Sequence, residues 1–255
     1  MKVLVLPDIH GRKFWVKPCE NIDKYDKVVF LGDYFDPYDF ENIGFNDCID
    51  NFKEIIKLKE KYPDKVVLLL GNHDFPYVSN HYYHFSMWHC RHSATFHDKI
   101  SKLFDDNKSY FKIAHVEKDV LFTHAGVESG WLEKIVKCQE TDINKICDIL
   151  NELPKTVHGL EKLYSITRER GGRDRYGSCI WADVHDLLWD VDCINEERKP
   201  IHNIKQIFGH TMQAFYNMNR EIEFGDAIEF ENLKMIDTAK PYELDTDTFK
   251  IKEVK

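Results

Sequence analysis

Three apolar, β-branched runs near the start of the chain, each followed directly by polar residues, constrain the fold more than any other feature. They occupy residues 3–6, 28–31 and 66–70. Residues 46–62 carry apolar side chains at helical spacing with Lys and Glu opposite, which predicts an amphipathic helix between the second and third runs. Strands that are apolar throughout fit a parallel sheet buried on both faces. This part of the chain therefore predicts consecutive βαβ units.

The rest of the chain predicts a helical middle and a second group of strands. Residues 110–116 and 119–123 are typical of a hairpin, and apolar residues recur at helical spacing between residues 131 and 166. Further strands are predicted at residues 206–208, 221–224, 228–230, 233–236 and 249–253. We expect these strands to form a second, mixed sheet. Two stacked sheets with helices outside form a four-layer α/β/β/α sandwich, and no linker or repeat divides it, so one domain over residues 1–255 is expected.

Five short polar clusters lie where the predicted strands end. They are Asp-Ile-His-Gly at 8–11, Gly-Asp-Tyr-Phe-Asp at 32–36, Gly-Asn-His-Asp at 71–74, Thr-His-Ala-Gly at 123–126 and Gly-His-Thr at 209–211. Ligands of open α/β sheets bind beyond the carboxyl ends of the strands, so residues distant in the chain can converge there. Carboxylate, imidazole and amide donors without a thiolate suit manganese, iron, zinc or magnesium. The clusters therefore predict one dinuclear metal site.

The order of these five motifs resembles that of the calcineurin-like metallophosphoesterase superfamily. Within it, the second and fourth motifs are most similar to bacterial and phage relatives of the PPP-type serine/threonine phosphatases. The resemblance runs from Asp8 to His210 and implies the same four-layer fold. It also implies a phosphoester hydrolase, chiefly a phosphomonoesterase, in which a hydroxide that bridges two metal ions attacks phosphorus. Manganese, iron, zinc and nickel are the candidate ions.

The resemblance implies six metal ligands, which are Asp8, His10, Asp33, Asn72, His124 and His210. Asp8 and His10 lie two residues apart on one loop, a spacing that lets both bind one ion. Asp33 is the candidate bridge, and the resemblance assigns the last three residues to the second ion. Simpler interpretations are a helix cap for Asp8 and turn residues for Asp33 and Asn72. Met212 stands where many superfamily members have a further histidine, which predicts three protein ligands for the first ion.

His73 is the residue expected to protonate the leaving group, with Asp36 as the carboxylate that orients it, as the family pattern places them. An alkoxide leaves phosphorus badly without a proton, and imidazole is the side chain that exchanges protons near neutral pH. Asp74 is a weaker alternative partner for His73, because it could serve only to stabilise the loop.

The residues that bind phosphate have to lie outside the position that the family pattern gives them. PPP-type enzymes carry an arginine after Gly-Asp-x-x-Asp, and Pro37 occupies that place here. The best substitute is the loop at residues 168–175, where Arg170 and Arg173 offer guanidinium groups that match phosphate oxygens. A solvated polar loop is the alternative. Residues 80–97 contain five aromatic side chains and five histidines, which indicates either a substrate-facing cap or a helix packed on the sheet.

Composition limits the partners and the cellular setting. A formal net charge of −9 disfavours a general nucleic-acid coat, although metal ions can still make a pocket attractive to anions. Seven cysteines without a Cys-x-x-Cys pair indicate reduced thiols. No apolar run approaches the roughly 20 residues of a membrane span, and a strand expected from residue 2 leaves no room for a leader. We expect a cytoplasmic protein that acts on a phosphorylated small molecule, nucleotide or phosphoprotein.

Two other functions fit the same motifs. A nucleotide pyrophosphatase or phosphodiesterase, such as a dinucleoside polyphosphate hydrolase, would use the same ligands, and its product profile would distinguish it. A non-catalytic scaffold of the same fold is the remaining alternative. The joint presence of all six candidate ligands and His73 argues against it.

Overall fold

The computed structural model of the chain describes residues 1–78, 91, 94–188, 200–201, 203–216 and 222–255. Its strands are β1 (Lys2–Leu6), β2 (Lys27–Phe30), β3 (Val66–Leu69), β4 (Phe111–Lys112), β5 (Ala114–Glu117), β6 (Val120–Thr123), β7 (Lys205–Phe208), β8 (Ala214–Tyr216), β9 (Ile222–Phe224), β10 (Ile228–Phe230), β11 (Leu233–Met235), β12 (Tyr242–Asp245) and β13 (Lys250–Glu253).

The α-helices span Val16–Cys19, Phe45–Lys61, Phe75–Val78, Ala94–Asn107, Ile143–Glu152, Val157–Leu163 and Val184–Leu188. A π-helical segment spans Trp131–Val136. Single 3-10 turns lie at Ile22–Lys24, Asp39–Glu41, Lys108–Tyr110, Leu153–Lys155 and Arg168–Arg170. Within the described part of the chain, no helix combines the length and the apolar character that a membrane crossing requires.

The chain divides into two compact units. The first unit comprises Met1–Lys112 together with Ala239–Lys255, and the second comprises Ile113–Thr238. A six-stranded sheet lies within the first unit and a five-stranded sheet within the second, each of them mixed. Strands β8 and β9 form a separate antiparallel pair in the second unit, so the strand expected at residues 221–224 does not join the five-stranded sheet. The predicted fold class, two mixed sheets flanked by helices, is therefore confirmed. The single domain over residues 1–255 stays a prediction.

The sheet of the first unit has the order β13-β12-β1-β2-β3-β4. Strands β1 to β4 are parallel, with Val5 opposite Val29 and Val29 opposite Val67. Apart from Lys2 and Lys27 at their first positions, the residues of β1, β2 and β3 are buried. Their uninterrupted apolar sequences thus form the doubly covered parallel sheet that was predicted.

The position of the last two strands differs from the prediction. We expected residues 249–253 to join the second sheet, but β13 pairs antiparallel with β12, which pairs antiparallel with β1. Strand β12 escaped prediction because its four residues alternate between buried and half-buried positions, so they form no apolar run. Its partner lies far away in the sequence, since Lys2 pairs with Asp245, and no local pattern encodes such a pairing.

An aromatic cluster fixes the helix Phe45–Lys61, predicted at residues 46–62, within the first unit. Its buried apolar face includes Ile49, Phe52, Ile55 and Ile56. The ring of Phe52 lies 5.0 Å from that of Phe35, 5.1 Å from that of Phe104 and 6.0 Å from that of Phe111. Such offset and edge contacts add to the hydrophobic burial. Phe35 belongs to the loop after β2, so the cluster also supports that loop.

The sheet of the second unit has the order β10-β11-β7-β6-β5. Strands β5 and β6 form the predicted antiparallel hairpin, and β6 lies parallel to β7. Asn151 ties the helix Ile143–Glu152 to the start of β5, because its Oδ1 accepts the N–H groups of Ile113 and Ala114 and its Nδ2 donates to Ala114 O at 3.0 Å. These bonds satisfy backbone groups at the edge of the sheet.

Candidate active site

The loops that follow β1 and β2 are joined by backbone hydrogen bonds. The N–H of His10 donates to Asp33 O at 2.5 Å, and the N–H of Gly11 donates to Tyr34 O at 3.1 Å. His10, Asp33 and Asp36 have φ angles of 43°, 55° and 59°. Residues other than glycine rarely adopt this left-handed conformation, and such strained positions concentrate at functional sites. The motifs therefore fold into loops whose backbone is held in an uncommon shape.

Asp74 connects the loop after β2 to the loop after β3. Its carboxylate accepts the N–H groups of Asp33 at 2.7 Å, Tyr34 at 2.9 Å and Gly71 at 2.8 Å. Burial, followed by the charge of Asp33, raises the pKa of this carboxyl. At Gly32 the loops also approach so closely that an added Cβ would lie 2.4 Å from Gly71 N. Asp74 is thus occupied with the backbone, and Asp36 is the carboxylate beside His73.

His10 presents one nitrogen to Asp33. A carbonyl oxygen can only accept, so Nδ1 of His10 carries a hydrogen and donates to Phe35 O at 2.8 Å. Burial, followed by the charge of Arg12, lowers the pKa of His10, so the ring is neutral. The lone pair then resides on Nε2, which lies 3.5 Å from Oδ2 of Asp33. A neutral imidazole nitrogen thus faces a carboxyl oxygen, and both atoms are of the kind that binds a divalent cation.

Asp8 and Asp33 add two carboxylates to this group. Both side chains are about 1 % exposed, and an oxygen of one lies within 4.8 Å of an oxygen of the other. Burial raises the pKa of Asp33 to about 7, and Asp8 adds to the rise while His73 and Arg91 oppose it. Buried oxygen and imidazole donors of this kind are suited to a divalent ion. The residues of the first unit therefore fit the metal that the motifs predict.

His73 and Asp36 form a hydrogen-bonded pair. His73 Nδ1 lies 3.1 Å from Asp36 Oδ2, and the hydroxyl of Tyr77 donates to Asp36 Oδ1 at 2.7 Å. Asp36 is fully buried, whereas 12 % of the His73 side chain is exposed. The N–H of His73 donates to Asp33 Oδ1 at 2.9 Å. Nδ1 is thus directed at a fixed carboxylate, and Nε2 is left on the other side of the ring. Asn72, which precedes His73, is 3 % exposed.

Arg91 is a residue of this site that the sequence reasoning missed. Its Nη1 donates to Asp36 O at 2.5 Å, and its Nη2 lies 3.5 Å from His73 Nε2. The guanidinium lies 3.6 Å from the centre of the Tyr38 ring. The sequence could have pointed to Arg91, because it is the one arginine of the aromatic and histidine-rich segment 80–97. Of that segment, residues 80–90 and 92–93 lie outside the described part of the chain, so its two interpretations stay predictions.

The second unit holds its own pair of candidate ligands. His124 and His210 follow the parallel neighbours β6 and β7, and Gly209 N donates to His124 O at 2.8 Å. Nε2 of His124 lies 3.2 Å from Nδ1 of His210, and both residues are buried. Two nitrogens bound to one tetrahedral ion at about 2.05 Å are roughly 3.3 Å apart. The spacing of the two imidazoles is therefore suited to binding a single ion.

The arginine loop contributes one residue to the surroundings of His210. Arg170 Nε lies 2.7 Å from Asp183 Oδ2, and Nη2 donates to Thr211 Oγ1 at 2.5 Å. Asp183 is itself buried. Arg173 lies exposed in the same loop. The structure thus places Arg170, but not Arg173, against the Gly-His-Thr motif, and substrate binding by either stays a prediction.

The candidate residues come from loops of both units. Asp8, His10, Asp33, Asp36, Asn72 and His73 lie in the loops of the first unit, and His124, His210 and Arg170 lie in the second. The role of each residue in binding or catalysis remains a prediction.

The comparison with known families is decisive for the class of protein. The model of the calcineurin-like phosphoesterase family matches residues 1–214. The chain belongs to this family. The family is metal-dependent and hydrolyses phosphoric esters, so the predicted superfamily and enzyme class are confirmed. The finer assignment to bacterial or phage PPP-type relatives stays a prediction.

Sequence and structural relatives agree with this assignment. The chain is 26 % identical over 190 residues to a protein of Encephalitozoon cuniculi named probable serine/threonine-protein phosphatase, a match that covers 73 % of the chain. The chain spans about a third of that relative's length, since the match covers 35 % of it.

Two solved phosphatases are similar to the entire chain. A cold-active protein-tyrosine phosphatase of a psychrophilic Shewanella has a TM-score of 0.57 at 16 % identity, with 80 % of its own chain covered. A protein serine/threonine phosphatase of Saccharomyces cerevisiae has a TM-score of 0.52 at 15 % identity, also with 80 % covered. Similarity at this level shows the fold, which is that of the calcineurin-like phosphatases.

Proposed function

We propose that this member of the calcineurin-like phosphoesterase family is a metal-dependent phosphatase that hydrolyses phosphomonoesters. The observation that carries the proposal is the pair of His73 and Asp36 beside the buried donors Asp8, His10 and Asp33. A carboxylate-bound imidazole at the edge of a metal-binding group is what cleavage of an ester with a basic leaving group requires.

Six residues would hold two metal ions under this proposal. Asp8, His10, Asp33 and Asn72 come from the first unit, and the family pattern adds His124 and His210 from the second. Bound divalent ions supply an activated water and neutralise the charge of the phosphoryl group. Manganese, iron, zinc and nickel all accept these donors. The neutral His10 and the close pair of imidazoles support the assignment, since a metal-binding histidine must be deprotonated on the binding nitrogen.

The protonation of the leaving group falls to His73. Its Nδ1 is held by Asp36, so a proton on Nε2 is directed away from that carboxylate and towards a bound ester oxygen. The charge of Asp36 stabilises the imidazolium and fixes its orientation, and the bond from Tyr77 keeps the carboxylate in place. A positioned general acid of this kind accelerates ester cleavage by about 10²- to 10⁴-fold.

Phosphomonoesters, including phosphorylated protein side chains, are the proposed substrates. The Encephalitozoon relative and the two solved structures described above are named as protein phosphatases, which favours a phosphoprotein among the substrates. A cytoplasmic setting is proposed as well. Its support is that five buried cysteines of the described residues, Cys19, Cys48, Cys138, Cys147 and Cys179, form no disulfide, which is typical of a reducing compartment.

A substrate screen tests the function. The purified protein would be loaded with manganese, nickel, zinc or iron and offered nitrophenyl phosphate, alkyl phosphates, phosphopeptides, bis-nitrophenyl phosphate and a dinucleoside tetraphosphate. We expect phosphate release from the monoesters and loss of that release in an Asp8→Asn, Asp33→Asn double variant. Cleavage confined to the diester or the dinucleotide would replace the proposal with the phosphodiesterase or pyrophosphatase alternative. No hydrolysis by a metal-loaded protein would favour the scaffold.

A further inference from the structure

The guanidinium of Arg91 is immobilised by two contacts. Nη1 donates to the carbonyl oxygen of Asp36 at 2.5 Å, which fixes one edge of the group. The flat face lies over the ring of Tyr38, 3.6 Å from its centre. Stacking of a guanidinium on an aromatic ring is attractive and restricts the long side chain. A group held on one edge and one face is already ordered before any ligand arrives.

The second terminal nitrogen of the guanidinium faces His73. Nη2 lies 3.5 Å from His73 Nε2, and the residue is exposed although its two anchors hold it. Arg91 also lines a cavity of about 310 Å³, together with Tyr38, Phe45 and Phe96. The leaving oxygen must lie within hydrogen-bond distance of Nε2 if His73 is to protonate it. An oxygen at that position, or another oxygen of the same phosphoryl group, would then be within reach of Nη2.

The sequence lacks the arginine that the family resemblance would assign to phosphate binding. Pro37 removes the arginine that the family resemblance would place after Asp36, whereas Arg91 bonds to the carbonyl of that very residue. Arg170 is engaged by Asp183 and Thr211 instead. A planar guanidinium matches the oxygens of a phosphoryl group, since it can donate two parallel hydrogen bonds.

We propose that Arg91 is a catalytic residue that donates from Nη2 to the oxygens of the phosphoryl group beside His73, with Tyr38 as its positioning residue. This inference rests on the proposed phosphatase function and assigns it a substrate contact that the motifs do not contain.

Two substitutions of Arg91 test the contact. Arg91→Ala is expected to lower kcat/KM on a phosphomonoester by about 10²- to 10³-fold, the usual loss for one transition-state donor. Arg91→Lys keeps the charge without the fork and should lose less. Added guanidinium ion should restore part of the activity of Arg91→Ala, which a purely structural role would not allow. The control is Lys61→Ala, which removes another cation that lies over an aromatic ring, that of Tyr62 at 5.1 Å, and should leave kcat/KM unchanged.

The stacking of Arg91 on Tyr38 is tested separately. Tyr38→Phe keeps the ring and should retain activity within about twofold, whereas Tyr38→Leu removes the stacking and should lose about threefold to tenfold. Equal losses in Tyr38→Phe and Tyr38→Leu would remove Tyr38 as the stacking partner. Arg91→Ala with unchanged kcat/KM, or with a loss that guanidinium does not relieve, would overturn the contact while leaving the phosphatase function intact.

A binding measurement keeps the two proposals apart. Titration calorimetry of inorganic phosphate into the metal-loaded protein should show at least tenfold weaker binding in Arg91→Ala than in the wild type. Equal affinities would overturn the contact. A wild type that hydrolyses none of the screened esters refutes the proposed function, and the phosphate affinities of the two proteins then decide on Arg91 alone.

Discussion

Replacing His73 with alanine is expected to slow hydrolysis to a degree that depends on the leaving group. His73 is held by Asp36 at 3.1 Å and is 12 % exposed, so it can receive a proton from solvent and pass it to an ester oxygen. We expect kcat on an alkyl phosphate to fall by about 10²- to 10⁴-fold. That loss equals about 3 to 5 kcal/mol of transition-state stabilisation.

The dependence on the leaving group distinguishes an acid from a binding residue. A nitrophenolate leaves almost without a proton, so the loss in His73→Ala should shrink steadily from alkyl phosphates to phenyl and nitrophenyl phosphates. Tyr77→Phe is a matched control because it removes only the hydroxyl that donates to Asp36 at 2.7 Å. One hydrogen bond contributes about 0.5 to 1.5 kcal/mol, so its effect should stay near two- to tenfold.

Metal analysis completes the experiment. The His73→Ala protein should retain the metal content of the wild type, since His73 is assigned to proton transfer and His124 to metal binding. Equal losses on alkyl and nitrophenyl phosphates would refute the role of general acid. Loss of one ion from His73→Ala, combined with full occupancy in His124→Ala, would require the two roles to be exchanged.

The remaining predictions concern metal binding, stability and thiol access. Asp33→Asn should lower the content of both ions in elemental analysis, because a bridging carboxylate contacts each, and full occupancy would exclude the bridge. Phe52→Ala should reduce the free energy of unfolding in urea by about 3 to 5 kcal/mol, whereas a change below about 1 kcal/mol would contradict the packing. Asp74→Asn should cost about 1 to 3 kcal/mol in the same assay, because one backbone donor loses its acceptor. Burial raises the pKa of Cys19 and Cys48 to about 12, so Ellman's reagent at pH 8 should label them only after unfolding.

The strands that bear the motifs were predictable because their signals are local. Apolar continuity marks a buried parallel strand, and the change to Gly, Asp, Asn and His marks the point where it ends. The edge of the first sheet was not predictable in the same way. Strand β12 is four residues long, and its place beside β1 depends on a pairing between the two ends of the chain. The sequence of β12 carries no record of that partner.

The two carboxylates near His73 show a second limit of sequence reasoning. Asp36 and Asp74 were both candidates to orient the imidazole, and spacing alone favours neither. The structure separates them by their hydrogen bonds. Asp74 accepts three backbone N–H groups, which is a structural task, while Asp36 contacts the ring nitrogen. Asp36 also has a left-handed φ of 59°, a backbone conformation that the spacing of the motif does not reveal.

Arg91 shows why a motif can predict ligands and still miss a substrate contact. Metal ligands with short side chains must come from loops of fixed backbone shape, so their spacing in the sequence is constrained, as in Asp8 and His10. A guanidinium sits at the end of a long side chain and can reach a given point from many backbone positions. Pro37 therefore does not deprive the site of a guanidinium group, because Arg91 reaches the carbonyl of Asp36 from 55 residues away. Motif matching is strongest where chemistry depends on backbone geometry and weakest where it needs only a charge at one point.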